Sequence, residues 1–204
     1  MSLKTALAAI VIGSLFAGTA QAQTIIERPG RHPSYRLELE PHGLLGPGIA
    51  PGDSGGVGLG AGLRATIVVA PRGFVPTWND TFGIGFGGDW LYHVGHGSQV
   101  GQCTDRTTAP NGTPVCTEVE GMGRSAHYFY VPVVAQWALW IVKELSVFLE
   151  AGLAMYIQAQ RRDDIDLGVY PVVHIGGRWH FAERIALTAR LGIPAFTLGV
   201  SFLL

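Results

Sequence analysis

The alternation of apolar and polar side chains with a period of two is the feature that most constrains the fold of this chain. Successive side chains of a β-strand point to opposite faces, so this pattern predicts strands with one apolar and one polar face. Eight segments show it, at about Tyr35–Leu45, Val57–Val69, Phe82–Tyr92, Phe129–Trp140, Ser146–Gln158, Leu167–Trp179, Ile185–Leu191 and Phe196–Leu204. After residue 22 no apolar run is long and uninterrupted enough for a transmembrane helix.

The two faces of these segments differ in composition. The apolar face carries no Asp, Glu, Lys or Arg, and the polar face is rich in Gly, Thr and Tyr but poor in Lys. A soluble barrel buries its apolar face, whereas a membrane barrel turns that face to lipid, where Arg or Lys at mid-membrane costs about 2–4 kcal/mol. We therefore predict an all-β, eight-stranded antiparallel up-and-down transmembrane β-barrel. The alternative is a secreted, soluble lipocalin-like barrel that binds an apolar ligand.

The N-terminus has the order of a secretory signal peptide. A single Lys4 is followed by an uncharged run and then by Ala20-Gln21-Ala22. We predict a signal peptide over 1–22, a periplasmic N-terminal segment over 23–34 and an outer-membrane barrel over 35–204. Removal of Lys4 changes the formal net charge from −1 to −2, a balance that indicates no basic surface for nucleic acid.

The lengths of the links between strands agree with this orientation. With the N-terminus in the periplasm, the first, third, fifth and seventh links face outward and can be long. The longest link, 93–124, is the third, and the links near 142–145 and 180–183 are short. Two links fit less well, since 70–80 is long for a turn and 192–194 is tight for an outer loop.

Two prolines fall inside predicted strands. Pro132 and Pro171 each lack the N–H that a strand ladder uses, and lipid cannot replace that donor. We therefore expect a bulge or a strand boundary at both positions.

Cys103 and Cys116 are the only cysteines of the chain. An exported protein meets an oxidising compartment, so we predict one disulfide that closes a loop and contributes about 3 kcal/mol. The alternative of two thiol ligands to a metal is weaker, because the spacing matches no zinc pattern. The loop 94–124 is where we expect an extracellular partner to bind.

The signal peptide, the eight amphipathic strands and the end of the chain at the last strand together resemble the small outer-membrane barrels of the OmpA and OmpX type. The resemblance covers nearly all of the mature chain. It implies outer-membrane lipid and the barrel-assembly machinery as partners. The signal that this machinery reads is implied at Phe196, Leu198, Val200, Phe202 and Leu204. Members usually end in an aromatic residue, whereas this chain ends in Leu204.

The predicted polar face carries four arginines and four carboxylates. Charges removed from water must be paired, and an eight-stranded barrel is just wide enough for side chains to fill it. Inward glycines on the second and third strands leave room for long arginine side chains. We predict an interior ion network, with a narrow solute path as the alternative. Its members are Arg36, Glu38, Glu40, Arg64, Asp89, Glu150, Arg178 and Arg190.

Histidines gather near the predicted outer mouth. His42, His93, His96 and His127 are residues that could bind a divalent metal, but loop histidines are more often simply solvated. We predict no metal site.

An outer-membrane lipid-modifying hydrolase is the remaining alternative. It needs a nucleophile, a base and an orienting carboxylate close together, for which Asp89, His93 and Ser98 or Ser125 are the candidates. No motif demands this chemistry, and the predicted lipid face has neither Ser nor His. We therefore predict a barrel without enzymatic activity or cofactor, with a role in envelope structure, surface interaction or minor passage of small solutes.

Overall fold

The computed structural model describes residues 24–46, 57–93, 102–110, 112–120, 125–160 and 165–204, and it describes only the backbone of 102–106, 116–120 and 160. The predicted signal peptide lies outside these residues. In the part of the chain that is described, no helix is long and apolar enough to cross a membrane.

Ten strands make up the described structure. They are β1 (Leu37–Gly46), β2 (Gly58–Ala70), β3 (Asp80–His93), β4 (Gln102–Thr108), β5 (Pro114–Glu120), β6 (Ala126–Val142), β7 (Leu145–Gln160), β8 (Ile165–Ala182), β9 (Ile185–Ile193) and β10 (Phe196–Leu203).

Eight of these strands close into an antiparallel barrel in the order β1-β10-β9-β8-β7-β6-β3-β2. β4 and β5 form a separate hairpin between β3 and β6. Apart from the closing pair β1–β10, each barrel strand pairs with the barrel strand that follows it in sequence. The predicted eight-stranded up-and-down barrel is confirmed.

The strand registers set the tilt and the width of the barrel. Following the paired residues from strand to strand, starting at His42 and moving through β2, β3, β6 and β7, leads to Gly168 on β8. Following them in the opposite direction, through β10 and β9, leads to Arg178 on the same strand, ten residues away. Such a stagger tilts the strands and goes with an interior that side chains can fill.

The barrel has two different ends. End A carries the N-terminal segment 24–36, the links 71–79, 143–144 and 183–184, and Leu204. End B carries the β4–β5 hairpin and the links that follow β1, β7 and β9. The link lengths are those read from the sequence, including the long link at 71–79 and the tight one at 194–195.

The predicted alternation places polar side chains inside and apolar side chains outside. Among the described barrel strands, Asp80 is the one acidic or basic residue at an outward position, and it is buried. The link 71–79 folds over its carboxylate, which accepts hydrogen bonds from the backbone N–H of Phe74 at 3.0 Å and from Trp137 Nε1 at 2.7 Å. This contact explains why a turn at end A is so long.

The expectation of a bulge or boundary at Pro132 and Pro171 is wrong. Both residues pair within continuous ladders to β7, and the register shifts of the barrel all lie at end A. Pro132 interrupts pairing with β3 without changing its register. Pro171 lies where β8 has no β9 partner, because that ladder begins at Val173. A missing donor therefore costs little at either position.

The β4–β5 hairpin does not align its cysteines. Cys103 is opposite Val119, and Cys116 is opposite Arg106. Three strand positions correspond to roughly 10 Å, which is longer than the Cα separation of about 7 Å that a disulfide allows. The side chains lie outside the described residues, so the disulfide stays a prediction.

Candidate functional site

Seven of the eight predicted network residues lie inside the barrel. Their fractional exposure is at most 6%, and they come from six strands: Glu38, Glu40, Arg64, Asp89, Glu150, Arg178 and Arg190. Arg36 is the exception, because it precedes β1 and its side chain is exposed. The buried network therefore contains three arginines and four carboxylates, whereas four of each were expected.

Glu150 lies at the centre of this network. Arg190 Nε donates to its two carboxylate oxygens at 3.1 and 3.0 Å, and Arg64 Nη1 donates to Oε2 at 3.2 Å. Gln136 Nε2 donates to Oε1 at 2.7 Å. His174 Nδ1 lies 3.5 Å from Oε2. One buried carboxylate thus joins side chains from four other strands.

The two β1 carboxylates connect the network to the opposite wall. Arg178 Nε donates to Glu38 Oε1 at 2.9 Å. Its Nη2 donates to Gln136 Oε1 at 2.8 Å and lies 2.8 Å from Glu38 Oε2. Arg190 Nη1 donates to Glu40. The Ser201 hydroxyl lies 2.7 Å from Glu38 Oε1 and 3.1 Å from Glu40 Oε2.

Phe148 is an apolar side chain within this polar layer. The guanidinium carbon of Arg178 lies 4.4 Å from the centre of its ring, and that of Arg190 lies 5.1 Å away. Both distances are within the range of cation–π attraction. Both guanidinium groups therefore pack on the same aromatic ring, which stabilises each of them.

His42 and Asp89 extend the network toward end B. His42 Nε2 lies 2.9 Å from Asp89 Oδ1, and Nδ1 lies 3.2 Å from the Glu40 carbonyl. Arg64 Nη2 donates to the other Asp89 oxygen at 3.3 Å. His42 thus links the β1 backbone to Asp89 and, through Asp89, to Arg64.

Gly62 provides the space for this pair. A Cβ at position 62 would lie 2.6 Å from His42 Nε2 and would also overlap the Asp89 carboxylate. The inward glycine is therefore required by the contact between the two side chains.

A cluster of tyrosines fills the barrel beyond the charged layer. Tyr128 and Tyr130 are buried and stack with ring centroids 6.0 Å apart, and Tyr156 and Tyr170 pack against them. Leu44 and Leu91 complete the cluster on the β1 and β3 side. The interior is thus ionic in the middle and aromatic toward end B.

The N-terminal segment closes end A. Ile25 packs against Tyr35, Trp140 and Leu203, and Ile25 N donates to the Ile141 carbonyl at 2.8 Å. Burial raises the pKa of Tyr35, which precedes β1, to about 12, so its phenol is neutral at ordinary pH.

The described histidines do not form the expected group at the outer mouth. His42 is buried in the charged layer, and His93 faces Tyr128 edge-on at 5.3 Å. His127 lies on the outward face, so the expectation that the lipid face has no histidine is wrong. His96 is outside the described residues. Within those residues no group of three metal-binding side chains comes together.

The five residues of the predicted assembly signal share the outward face of the last strand. Phe196, Leu198, Phe202 and Leu204 are exposed, and Val200 is half-buried. Their recognition by the assembly machinery remains a prediction.

Five residues of the charged layer were not among the predicted network members, and one of them, His42, was expected at the outer mouth instead. Gln136, His174 and Ser201 are on the polar face of their segments, so the alternation alone could have included them. The sequence gives no reason to include Phe148. An apolar residue at a position of the polar face looks the same in sequence as an interruption of the strand alternation.

No protein-family model and no curated protein matches this chain. Among solved structures, it is similar to Ail, the attachment invasion locus protein of Yersinia pestis, in complex with the heparin analogue sucrose octasulfate. The identity is 9%, the match covers 82% of this chain and 95% of that chain, and the TM-score is 0.36.

Proposed function

We propose that the chain is an integral outer-membrane barrel that does not conduct and that holds the strands and loops of end B for contact with an extracellular partner. The observation that carries this proposal is the outward face of the eight barrel strands, where the one charged residue described, Asp80, is covered by its own link.

The outward face suits lipid and not water. Val133, Leu153 and Val173 are each more than half exposed in the middle of the wall. Apolar area left in water costs about 25 cal/mol per Å². Aromatic side chains flank this belt, with Trp137, Trp179 and Phe181 toward end A and Trp90, Tyr92 and Phe129 toward end B, as interface girdles do.

The interior argues against the lipocalin-like alternative. A barrel that binds an apolar ligand turns its apolar face inward, whereas the middle of this lumen contains three arginines and four carboxylates. Salt bridges cross the lumen from β1 to β8 and β9 and from β2 to β7. The side chains that would have to line an apolar pocket are on the outside.

The edge of β8 supports a role in surface interaction. Residues 165–172 have no described strand neighbour on the β9 side. Ile165, Leu167 and Val169 on this stretch are 69%, 69% and 62% exposed. A strand needs about 9–11 tilted residues to cross a membrane. Leu167 is twelve residues from Trp179 in the end A girdle, so this stretch of β8 extends beyond the membrane at end B. An exposed strand edge is the kind of surface on which an extended peptide can add a strand.

The positions of Asp89 and His93 argue against the hydrolase alternative. The two residues are four positions apart on β3, which corresponds to roughly 13 Å, so Asp89 is too far away to orient the His93 imidazole as a triad carboxylate does. The Asp89 carboxylate instead contacts His42 Nε2 at 2.9 Å and Arg64 Nη2 at 3.3 Å. Ser98 lies outside the described residues.

Fractionation of expressing cells tests the location. We expect the mature protein in the outer membrane, resistant to carbonate extraction, with a gel mobility that changes on boiling because a folded barrel survives detergent. Recovery in the soluble periplasmic fraction would contradict the proposal.

A further inference from the structure

The link 71–79 carries two aromatic side chains that lie against the outer wall of the barrel. The Phe74 ring packs on Phe82 with ring centroids 4.7 Å apart, and the Trp78 ring stacks on Trp137 at 6.0 Å. Phe82 and Trp137 are outward residues that pair with each other across β3 and β6. The link therefore folds back onto the outside of the wall at end A.

One buried carboxylate holds the backbone of this link. Asp80 Oδ2 accepts hydrogen bonds from the backbone N–H of Phe74 at 3.0 Å and of Val75 at 3.4 Å. It also accepts one from Trp137 Nε1 at 2.7 Å. Gly73 has a φ of +58°, and a Cβ at this position would overlap the Asp80 carboxylate. The link thus passes Asp80 as closely as a glycine allows, and the same carboxylate fixes both the link and the wall beneath it.

The strand registers give the height of these rings on the wall. Phe86 pairs with Val133 in the middle of the wall, and Phe82 is four positions from Phe86 toward end A. Four strand positions correspond to about 13 Å, or about 10 Å along the barrel axis at the usual tilt. The apolar band of an outer-membrane barrel is about 25 Å tall, so Phe82 lies just inside its edge. The rings that the link places over Phe82 and Trp137 are therefore at the boundary between hydrocarbon and headgroups.

The exposed side chains of the link suit that boundary. Phe74 is 66% exposed and Trp78 is 38% exposed. Arg72, which is also exposed, is the one ionisable side chain of 71–79. Aromatic rings and basic groups are the side chains that a membrane interface favours, because the rings bury in the acyl boundary while the cation stays among the phosphates.

We propose that the link 71–79 is an anchor that inserts Phe74 and Trp78 into the headgroup region of a phospholipid leaflet, with Asp80 as the residue that positions it. Arg72 pairs there with lipid phosphate. This inference rests on the proposed membrane location and names the lipid contact of one link. In the orientation proposed above, the leaflet is the periplasmic one. Phosphatidylcholine vesicles have the same headgroup on both sides, so a test in them does not depend on that orientation.

Spin labels at single cysteines measure the depth of the link. In a Cys103→Ser, Cys116→Ser background we would label Phe74→Cys, Leu153→Cys in the middle of the wall and Glu27→Cys at an exposed position of the N-terminal segment. Power saturation in phosphatidylcholine vesicles gives the accessibility of each label to oxygen, which partitions into lipid, and to a nickel chelate, which stays in water. We expect the label at 74 to be several-fold less accessible to nickel than the label at 27. It should be less accessible to oxygen than the label at 153.

Asp80→Asn tests the positioning residue, because it keeps the shape of the side chain and weakens its hydrogen bonds to the link. It should raise the nickel accessibility of the label at 74 several-fold. Asp166→Asn, which changes an exposed carboxylate at end B, should leave that accessibility unchanged. Equal effects of the two substitutions would contradict the positioning role.

Two results would overturn the anchor itself. The first is a label at 74 that is as accessible to nickel as the label at 27. The second is protection of the label at 74 only at a high ratio of protein to lipid, since a second copy of the chain then covers the link. If the label at 153 is accessible to nickel as well, the membrane location itself is wrong, so the failures of the two proposals are distinguishable.

Discussion

At the scale of the residue, an inward glycine and an outward glycine on paired strands should respond oppositely to the same change. A Cβ at Gly62 would overlap the His42–Asp89 contact, whereas a Cβ at Gly88 would meet nothing within 4 Å. We expect Gly62→Ala to lower the free energy of unfolding by about 1–3 kcal/mol, because both side chains must shift. Gly88→Ala should change it by less than about 0.5 kcal/mol. Urea unfolding in lipid vesicles measures both, and equal effects would contradict the inward and outward assignment.

Glu150 is the residue on which the charged layer depends most. Glu150→Gln keeps the shape of the side chain but removes the charge that faces Arg64 and Arg190. We expect a loss of about 3–5 kcal/mol, because breaking a buried pair leaves its partner uncompensated. Glu27→Gln, at an exposed position before the barrel, serves as the control. A Glu150→Gln variant within about 0.5 kcal/mol of the unaltered protein would show that the network contributes little.

Sequence reasoning identified most of the charged layer but misplaced its ends. Alternation with a period of two identifies which residues share a face, and Arg64, Glu150 and Arg178 lie on the predicted face. The prediction for Arg36 is wrong because the alternation does not extend to the residues before β1. Tyr35 is buried there and Arg36 is exposed. The contacts of Glu150 with four other strands depend on the register around the closed barrel, which no single segment contains.

At the scale of the element, the outward faces of β7 and β8 allow a test of where the membrane lies. Leu153 and Leu167 are both exposed, but Leu153 lies midway between the β7 partners of Trp137 and Phe129, and Leu167 is on the stretch of β8 that has no described β9 partner. Leu153→Arg should cost about 2–4 kcal/mol and Leu167→Arg about 0–1 kcal/mol, because the cost of a charge falls toward the interface. Folding into vesicles, followed by heat-modifiable gel mobility, measures the difference. Equal costs would place both residues at the same depth.

Element boundaries were predictable where alternation ends at a tight turn and not where the chain makes tertiary contacts. The short links at 143–144 and 183–184 were expected. The reason for the long link 71–79 was not, because it depends on the burial of Asp80 beneath Phe74 and Trp137. The prediction for the two prolines is wrong for a related reason. The loss of an N–H matters only if the adjacent strand would accept a hydrogen bond from it, and which strand is adjacent depends on the closed sheet.

At the scale of the whole molecule, the described lumen is closed at three successive levels. Ile25 and Trp140 close end A, the ion network around Glu150 crosses the middle, and Tyr128 and Tyr130 fill the part toward end B. We therefore expect purified protein in planar bilayers to show no steady conductance steps. Deletion of residues 24–34 should leave the barrel non-conducting, because the two other levels remain in place.

The conductance test separates the filled interior from the narrow solute path that the sequence also allowed. Small, steady and voltage-independent steps in the unaltered protein would support the path and contradict a filled lumen. Steps that appear only after the deletion of 24–34 would mean that the N-terminal segment alone closes the barrel and that water passes between Arg178, Arg190 and the β1 carboxylates. If both proteins are silent, the charged layer and the tyrosine cluster together close the lumen without the N-terminal segment.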